Sequence, residues 1–140
     1  MLVGLGSDII DIGRVEKTIK KFGTRFIRRI FTNEEIKRSE NQKNRIASYA
    51  KRFAAKEACS KALGTGFSKG VFWKDIKIAN SSFGEPLLRL QGGAAKRLKE
   101  ILPKGSKPII KLSLSDDQST AYAVVIISSH ANIRTDNVQN

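Results

Sequence analysis

Arg45-Ile46-Ala47-Ser48-Tyr49-Ala50-Lys51-Arg52-Phe53-Ala54-Ala55-Lys56-Glu57-Ala58-Cys59-Ser60-Lys61-Ala62-Leu63 is the longest helical pattern in the chain. Gly64, Gly66 and Gly70 break it. With steps of about 100° per residue and Phe53 set to zero, Ile46 falls at about 20°, Glu57 at about 40° and Ala50 at about 60°. A carboxylate therefore stands in the middle of the apolar stripe. Burying an unpaired charge costs on the order of several kcal/mol, so such a group calls for a cation or a metal beside it. Lys61 is four residues on, on the same side, and Ser60 is close to that face. A plain Glu57–Lys61 helix pair, worth ~0.3–0.5 kcal/mol, is the competing reading. On the residues alone both stay open.

Outward from this helix, the N-terminal side opens with a strand, Leu2 to Ile10, holding Gly4 and Gly6. Glycines inside a strand point to a bulge or to close approach of another backbone. Asp11 is placed to cap a helix whose apolar positions are Ile12, Val15, Ile19 and Phe22, with Gly23 ending it. A short helical segment follows around Phe26, Ile27, Ile30 and Phe31. Thr32 with Glu35 forms a capping-box pattern for another, ending near Glu40. Residues 41–44 read as a loop. On the C-terminal side, Ile76–Ile78 and Pro86–Leu90 read as strands joined by the turn residues of Asn80–Gly84. Gly92–Leu102 reads as a helix stopped by Pro103. Ile109–Ser115 and Thr120–Ile127 read as a hairpin turning at Asp116, Asp117 and Gln118. The order of one strand, several helices, then strands around a helix predicts an α+β fold. Residues 1–127 make one domain; residues 128–140 are polar, without periodicity, and are expected to fray.

The chain has 140 residues, 40 % of them hydrophobic, enough for a real core and too little for two ordinary domains. Its formal net charge is +13. That charge is uneven: residues 1–61 carry a net of +8, residues 62–112 +7 and residues 113–140 −2. The field predicts an anionic partner: nucleic acid, anionic membrane, acidic protein or phosphorylated small molecule. One cysteine, Cys59, excludes an internal disulfide and reads as a spectator; one histidine excludes a His-rich zinc site. The longest apolar run, Ala121–Ile127, is far short of the ~20 residues that span a bilayer. No basic residue precedes Arg14 and Asp8 interrupts the N-terminal apolar run, so no signal peptide is expected. A soluble protein of a reducing cytoplasm is the expectation.

Asp8 ends an apolar strand, and since Asp11 fills the capping role better, Asp8 is left without an obvious structural duty. Two carboxylates without a histidine or thiolate partner suit a hard cation such as Mg²⁺, with phosphates and waters completing its shell. Gly64-Thr65-Gly66 offers backbone N–H groups to a phosphate or serves as a plain helix C-cap, and the glycines alone favour the cap. Arg52, Lys56 and Lys61 bind phosphates or form a solvated face. Arg14, Lys17, Lys20, Lys21, Arg25, Arg28 and Arg29 stand against Glu16 alone, interleaved with Val15, Ile19, Phe22 and Phe26. That stretch suits an acidic docking partner, or phosphates of a nucleic acid.

Four stretches together carry a resemblance. They are Gly4-Leu5-Gly6-Ser7-Asp8-Ile9-Ile10 followed by Arg14; Arg52 through Gly66 with its Lys-Glu-Ala core; Trp73-Lys74-Asp75-Ile76 leading to Gly84-Glu85-Pro86; and Ser113-Leu114-Ser115-Asp116 followed by the Ala121–Ile127 strand. Over residues 2–127 the chain resembles the short, single-domain 4′-phosphopantetheinyl transferases, the holo-[acyl-carrier-protein] synthase group. The second stretch is the specific one.

The resemblance implies the transferase fold: a small antiparallel sheet packed with a long central helix and shorter helices. It implies that Asp8 and Glu57 hold Mg²⁺ and that Lys61 lies near the transferred phosphate. It implies that Arg52, Ser60, Lys61, Gly64, Gly66 and Pro86 meet coenzyme A, and that Arg14, Arg25 and Arg28, outside the metal site, dock an acidic acyl carrier protein. It implies a homotrimer with sites between subunits. The implied reaction is attack by the carrier serine on the β-phosphate of coenzyme A, with 3′,5′-ADP leaving, in fatty acid biosynthesis. Glu57, through a water, is the preferred base. Many members of the group have His where this chain has Asp116, which removes one candidate ligand to the cofactor phosphates. The rival class is a basic RNA-binding module without catalysis; few aromatics and a carboxylate on the main helix speak against it.

Overall fold

The computed structural model describes residues 1–131. Its elements in chain order are β1 (Leu2–Asp11), α1 (Ile12–Phe22), α2 (Thr24–Ile30), α3 (Asn33–Glu40), α4 (Arg45–Ala62), a 3-10 turn (Trp73–Asp75), β2 (Ile76–Asn80), β3 (Pro86–Leu90), α5 (Gly92–Ile101), β4 (Ser106–Asp116) and β5 (Thr120–Ala131). The fold is α+β. Strands β1, β5 and β4 form one antiparallel sheet in that order, and β2 and β3 form a separate hairpin. Helix α4 lies across one face of the three-stranded sheet, with α1, α2 and α3 around it.

The local signals act as their chemistry dictates. Asp11 accepts the Arg14 N–H at 3.0 Å and caps α1. Thr32 and Glu35 form a complete capping box at α3. Gly4 and Gly6 sit where β1 crosses α4: a Cβ on Gly4 would run into the Ala62 carbonyl, and one on Gly6 into the Ala58 carbonyl. Close backbone approach is thus what these glycines provide. The alanines of α4 serve the same contact, since Ala54, Ala58 and Ala62 are buried beside Ala123, Val125 and Ile127 of β5. Cys59 is fully buried, and burial pushes its thiol up to about 12, so it is inert as a nucleophile.

Two expectations change. Strand β5 does not stop at Ile127 but runs to Ala131, because Ser129 donates its N–H to Met1 O at 2.8 Å while the Met1 ammonium donates to Ser129 O at 2.8 Å. The rest of the expected tail, residues 132–140, lies outside the described residues. The second change concerns α4. Its Ile46–Phe53–Glu57 side, the centre of the expected stripe, is only half-buried, whereas Arg52 and Lys56 are buried. Hydrophobicity counted those two cations as solvent-facing. Lys56 is instead neutralised inside the protein by Glu35, at 2.8 Å, and donates to Trp73 O at 3.0 Å and Ile76 O at 2.6 Å. Glu35 also accepts the Thr32 N–H at 2.8 Å and the Ile78 N–H at 2.9 Å. This satisfied network ties α3, α4 and β2 together.

Candidate active site

Residues Gly4, Gly6 and Asp8 share one face of β1 by its two-residue period. The two glycines press that face against α4, so Asp8 arrives beside the last turns of the helix. There Lys61 Nζ donates to Asp8 Oδ1 at 3.1 Å and to Ser7 O at 3.0 Å. Asp8, Glu57, Lys61 and Arg14 line one groove of about 480 Å³ together with Thr18, Phe26 and Phe53. The Glu57 carboxyl is held above its ordinary range, first by partial burial and then by the nearby Asp8 charge, with Lys61 opposing. Glu57 is in no ion pair among the described residues, so the plain Glu57–Lys61 helix pair is absent and Lys61 serves Asp8 instead.

A second groove, of about 360 Å³, opens on another side of α4. Arg38, Lys43, Lys51 and Arg52 line it with Asn80, Gly84 and Pro86 of the β2–β3 hairpin, and Asp116 is its one carboxylate. Arg52 is only 6 % exposed. Its Nη1 donates to Ser48 Oγ at 2.6 Å and its Nη2 to Asn80 Oδ1 at 3.4 Å, while its buried Nε has no partner among the described residues. Burial holds the Arg52 guanidinium below its usual value. Four cations around one groove, one of them buried, are an arrangement that could hold an anion.

The candidate residues therefore fall into separate places. Asp8, Glu57, Lys61 and Arg14 share the carboxylate groove; Arg52 and Pro86 share the cationic one. Arg14 lines the carboxylate groove, whereas Arg25 and Arg28 are exposed on α2 and line neither groove. Ser60, Gly64 and Gly66 line neither groove. The Ser60 hydroxyl donates to Glu57 O at 2.7 Å within the helix. The Gly64 N–H donates to Lys61 O at 3.0 Å and the Gly66 N–H to Ser60 O at 3.2 Å. These two amides cap α4, which gives the glycines the structural role that the capping reading expects. Sequence reasoning missed Lys51, Arg38, Lys43 and Asn80. Lys51 precedes Arg52, and Lys43 stands in the polar loop before α4, but no periodicity marks either.

A family model described as the 4′-phosphopantetheinyl transferase superfamily matches residues 4–125. The chain belongs to this superfamily. Among curated members it is 58 % identical over 128 residues to a holo-[acyl-carrier-protein] synthase of Parvibaculum lavamentivorans, covering 91 % of this chain and 96 % of that one. It is 57 % identical over 129 residues to the enzyme of the same name from Rhizobium meliloti, covering 92 % and 93 %. Among solved transferases it matches the holo-[acyl-carrier-protein] synthase of Neisseria meningitidis with a TM-score of 0.81 and 36 % identity, over 91 % of this chain and 99 % of that one. The Helicobacter pylori synthase, solved in complex with coenzyme A, matches with a TM-score of 0.75 and 35 % identity, over 89 % and 99 %. These transferase relatives share the α+β architecture described above.

Proposed function

We infer that the chain transfers 4′-phosphopantetheine from coenzyme A to a serine of an apo acyl carrier protein, releasing 3′,5′-ADP. The observation that carries this reading is the presence of two grooves of different character. One presents two carboxylates with Lys61 and Arg14, the other four cations against the single carboxylate Asp116, with an Arg52 nitrogen that has no partner among the described residues. Displacement at phosphorus is governed by positioning and charge neutralisation, and such a pair supplies both.

The donor set of the first groove fits Mg²⁺. Asp8 and Glu57 are near enough for one charge to raise the other's proton affinity, and two carboxylates with room for phosphate and water match that ion's habit. Asp8 and Glu57 would hold it, and when bound it neutralises charge on the pyrophosphate oxygens. Lys61, fixed by Asp8 and the Ser7 carbonyl, places a cation beside the transferred phosphate. Glu57, reached through a water, receives the carrier serine's proton as its oxygen bonds to the β-phosphorus and the 3′,5′-ADP oxygen departs. Arg52 and its neighbours hold the nucleotide end, with Pro86 on the groove wall. Arg25 and Arg28, with Arg14 at the groove's edge, steer the acidic carrier protein.

The two grooves share no lining residue within one chain, and Arg52 lies about 140° around α4 from Glu57. A homotrimer, in which the carboxylate groove of one subunit faces the cationic groove of the next, reunites them. Supporting this, the sheet face opposite α4 is apolar and uncovered: Tyr122, Val124 and Ile126 are 38–40 % exposed, with Leu5 and Ile9 beside them on β1. Asp8 and Lys61 line a further groove with Tyr122 and Val124, so a neighbour seated on that face reaches the carboxylates. Among the described residues no helix is long and apolar enough to cross a membrane; the reading places the enzyme in the cytoplasm, in fatty acid biosynthesis.

The test is mass spectrometry of apo acyl carrier protein incubated with the chain, coenzyme A and Mg²⁺. A mass gain of one phosphopantetheine group is expected. A thermal-shift series tests the RNA-binding alternative: stabilisation by mixed RNA and none by coenzyme A with Mg²⁺ would overturn the transferase reading.

A further inference from the structure

Asp116 is out of character with its surroundings. Every other charged residue of the cationic groove is an arginine or a lysine. Its carboxylate meets neither Arg38 nor Arg52 but Lys51, with Lys51 Nζ 3.2 Å from Asp116 Oδ1, and the two side chains are 32 % and 33 % exposed. The hairpin turn does not need it. Asp117 Oδ1 accepts the Ser119 and Thr120 N–H groups at 3.1 Å and the Thr120 hydroxyl at 3.0 Å, which completes the β4–β5 turn. The Asp116 side chain is thus free of turn duty and is directed at one cation of the anion site.

We propose that Asp116 is a positioning residue for Lys51, holding that cation in reserve so that a phosphate entering the groove must take Lys51 from the carboxylate. The proposal rests on the reading of this groove as the nucleotide site. Three consequences follow from charge alone. Lys51 is kept at the groove wall and is not dispersed into solvent. The empty groove carries less uncompensated positive charge, so weakly charged anions gain little there. A phosphate dianion replaces the carboxylate as the stronger partner for an ammonium, at the cost of opening the bridge and of the repulsion from Asp116 left beside it. Affinity for nucleotide phosphate is therefore set below what the four cations alone would give.

The experiment is calorimetric titration of the full chain with adenosine 3′,5′-bisphosphate, comparing wild type with Asp116→Asn, Lys51→Met and the double variant at low and high salt. Asparagine keeps the side-chain size and removes the charge. Asp116→Asn is expected to bind about three- to fivefold tighter at low salt, in keeping with the modest strength of a part-exposed ion pair. The gain should shrink as salt rises. Lys51→Met should weaken binding, and adding Asp116→Asn to it should return only the part owed to lost repulsion, a smaller gain than the same change gives in wild type. Binding by Asp116→Asn that is equal to or weaker than wild type overturns the proposal while leaving the nucleotide groove in place. So does a gain equally large without Lys51, since Asp116 would then act only as a general repulsive charge. A wild-type chain that does not bind the bisphosphate overturns the groove reading, and this proposal with it.

Discussion

Lys61 Nζ lies 3.1 Å from Asp8 Oδ1 and leaves Glu57, four residues earlier on its own helix, without an ion pair among the described residues. The lysine therefore bridges β1 and α4, and the free carboxylate faces the groove that Asp8 and Lys61 also line. A local helix pair would have put the two carboxylates to no common use.

Glu57→Gln and Asp8→Asn keep side-chain size and remove one carboxylate each. Transferase activity is expected to fall on the order of 100-fold or more, because charge stabilisation by a metal at phosphorus is worth several kcal/mol. Circular dichroism and thermal melting should stay close to wild type, since Glu57 is half-buried at a groove and packs no core. Undiminished turnover at saturating Mg²⁺ would remove Glu57 from the site.

The fold was legible in the sequence wherever local chemistry decided it. Asp11, the Thr32–Glu35 box, Gly23 and the glycines of β1 each act as their residue types dictate. What stayed hidden needed tertiary pairing. Lys56 is buried only because Glu35, distant in sequence, and two backbone carbonyls meet it. Without that knowledge the helical wheel assigned burial to the Phe53–Glu57 side. Asp8 and Glu57 do line one groove, and Glu57 faces that groove and not the core. Arg52 was recognisable from its motif and Lys51 is its neighbour in sequence, but Asn80, Gly84 and Pro86 reach the same groove from the β2–β3 hairpin, which only folding joins to α4.

Buried ion pairs are costly to break from one side. Lys56→Met leaves Glu35 charged with no cation and removes the donor to Trp73 O and Ile76 O. A loss of about 3–5 kcal/mol is expected by denaturant unfolding. A change below about 1 kcal/mol would show that Glu35 finds another partner.

Since Arg14 lines the carboxylate groove, carrier docking is tested best at Arg25 and Arg28. Arg25→Glu with Arg28→Glu should raise the KM for acyl carrier protein strongly at low salt and less at high salt, because exposed charges act through a screened encounter rate. Coenzyme A affinity, measured without carrier protein, should stay near wild type. A carrier dependence unmoved by the reversal would make this stretch an ordinary solvated face.

The uncovered face of β5 predicts a trimer by sedimentation at micromolar concentration. Val124→Glu puts a charge at its centre without touching the α4 side of the sheet, where Val125 is buried. The variant should sediment as a monomer with native secondary structure and lose activity. A wild-type monomer that is fully active would contradict shared sites.

If Glu57 of one subunit and Arg52 of the next complete each site, mixing two inactive variants restores activity. Glu57→Gln and Arg52→Ala are each expected to be inactive alone. Unfolded together in equal amounts and refolded, they form mixed trimers in which some interfaces pair an intact carboxylate groove with an intact cationic groove. Random assembly in a cyclic trimer makes about a quarter of all sites complete, so about a quarter of wild-type transferase activity should return. A refolded mixture no more active than its two parents would mean that Glu57 and Arg52 do not meet across a subunit boundary.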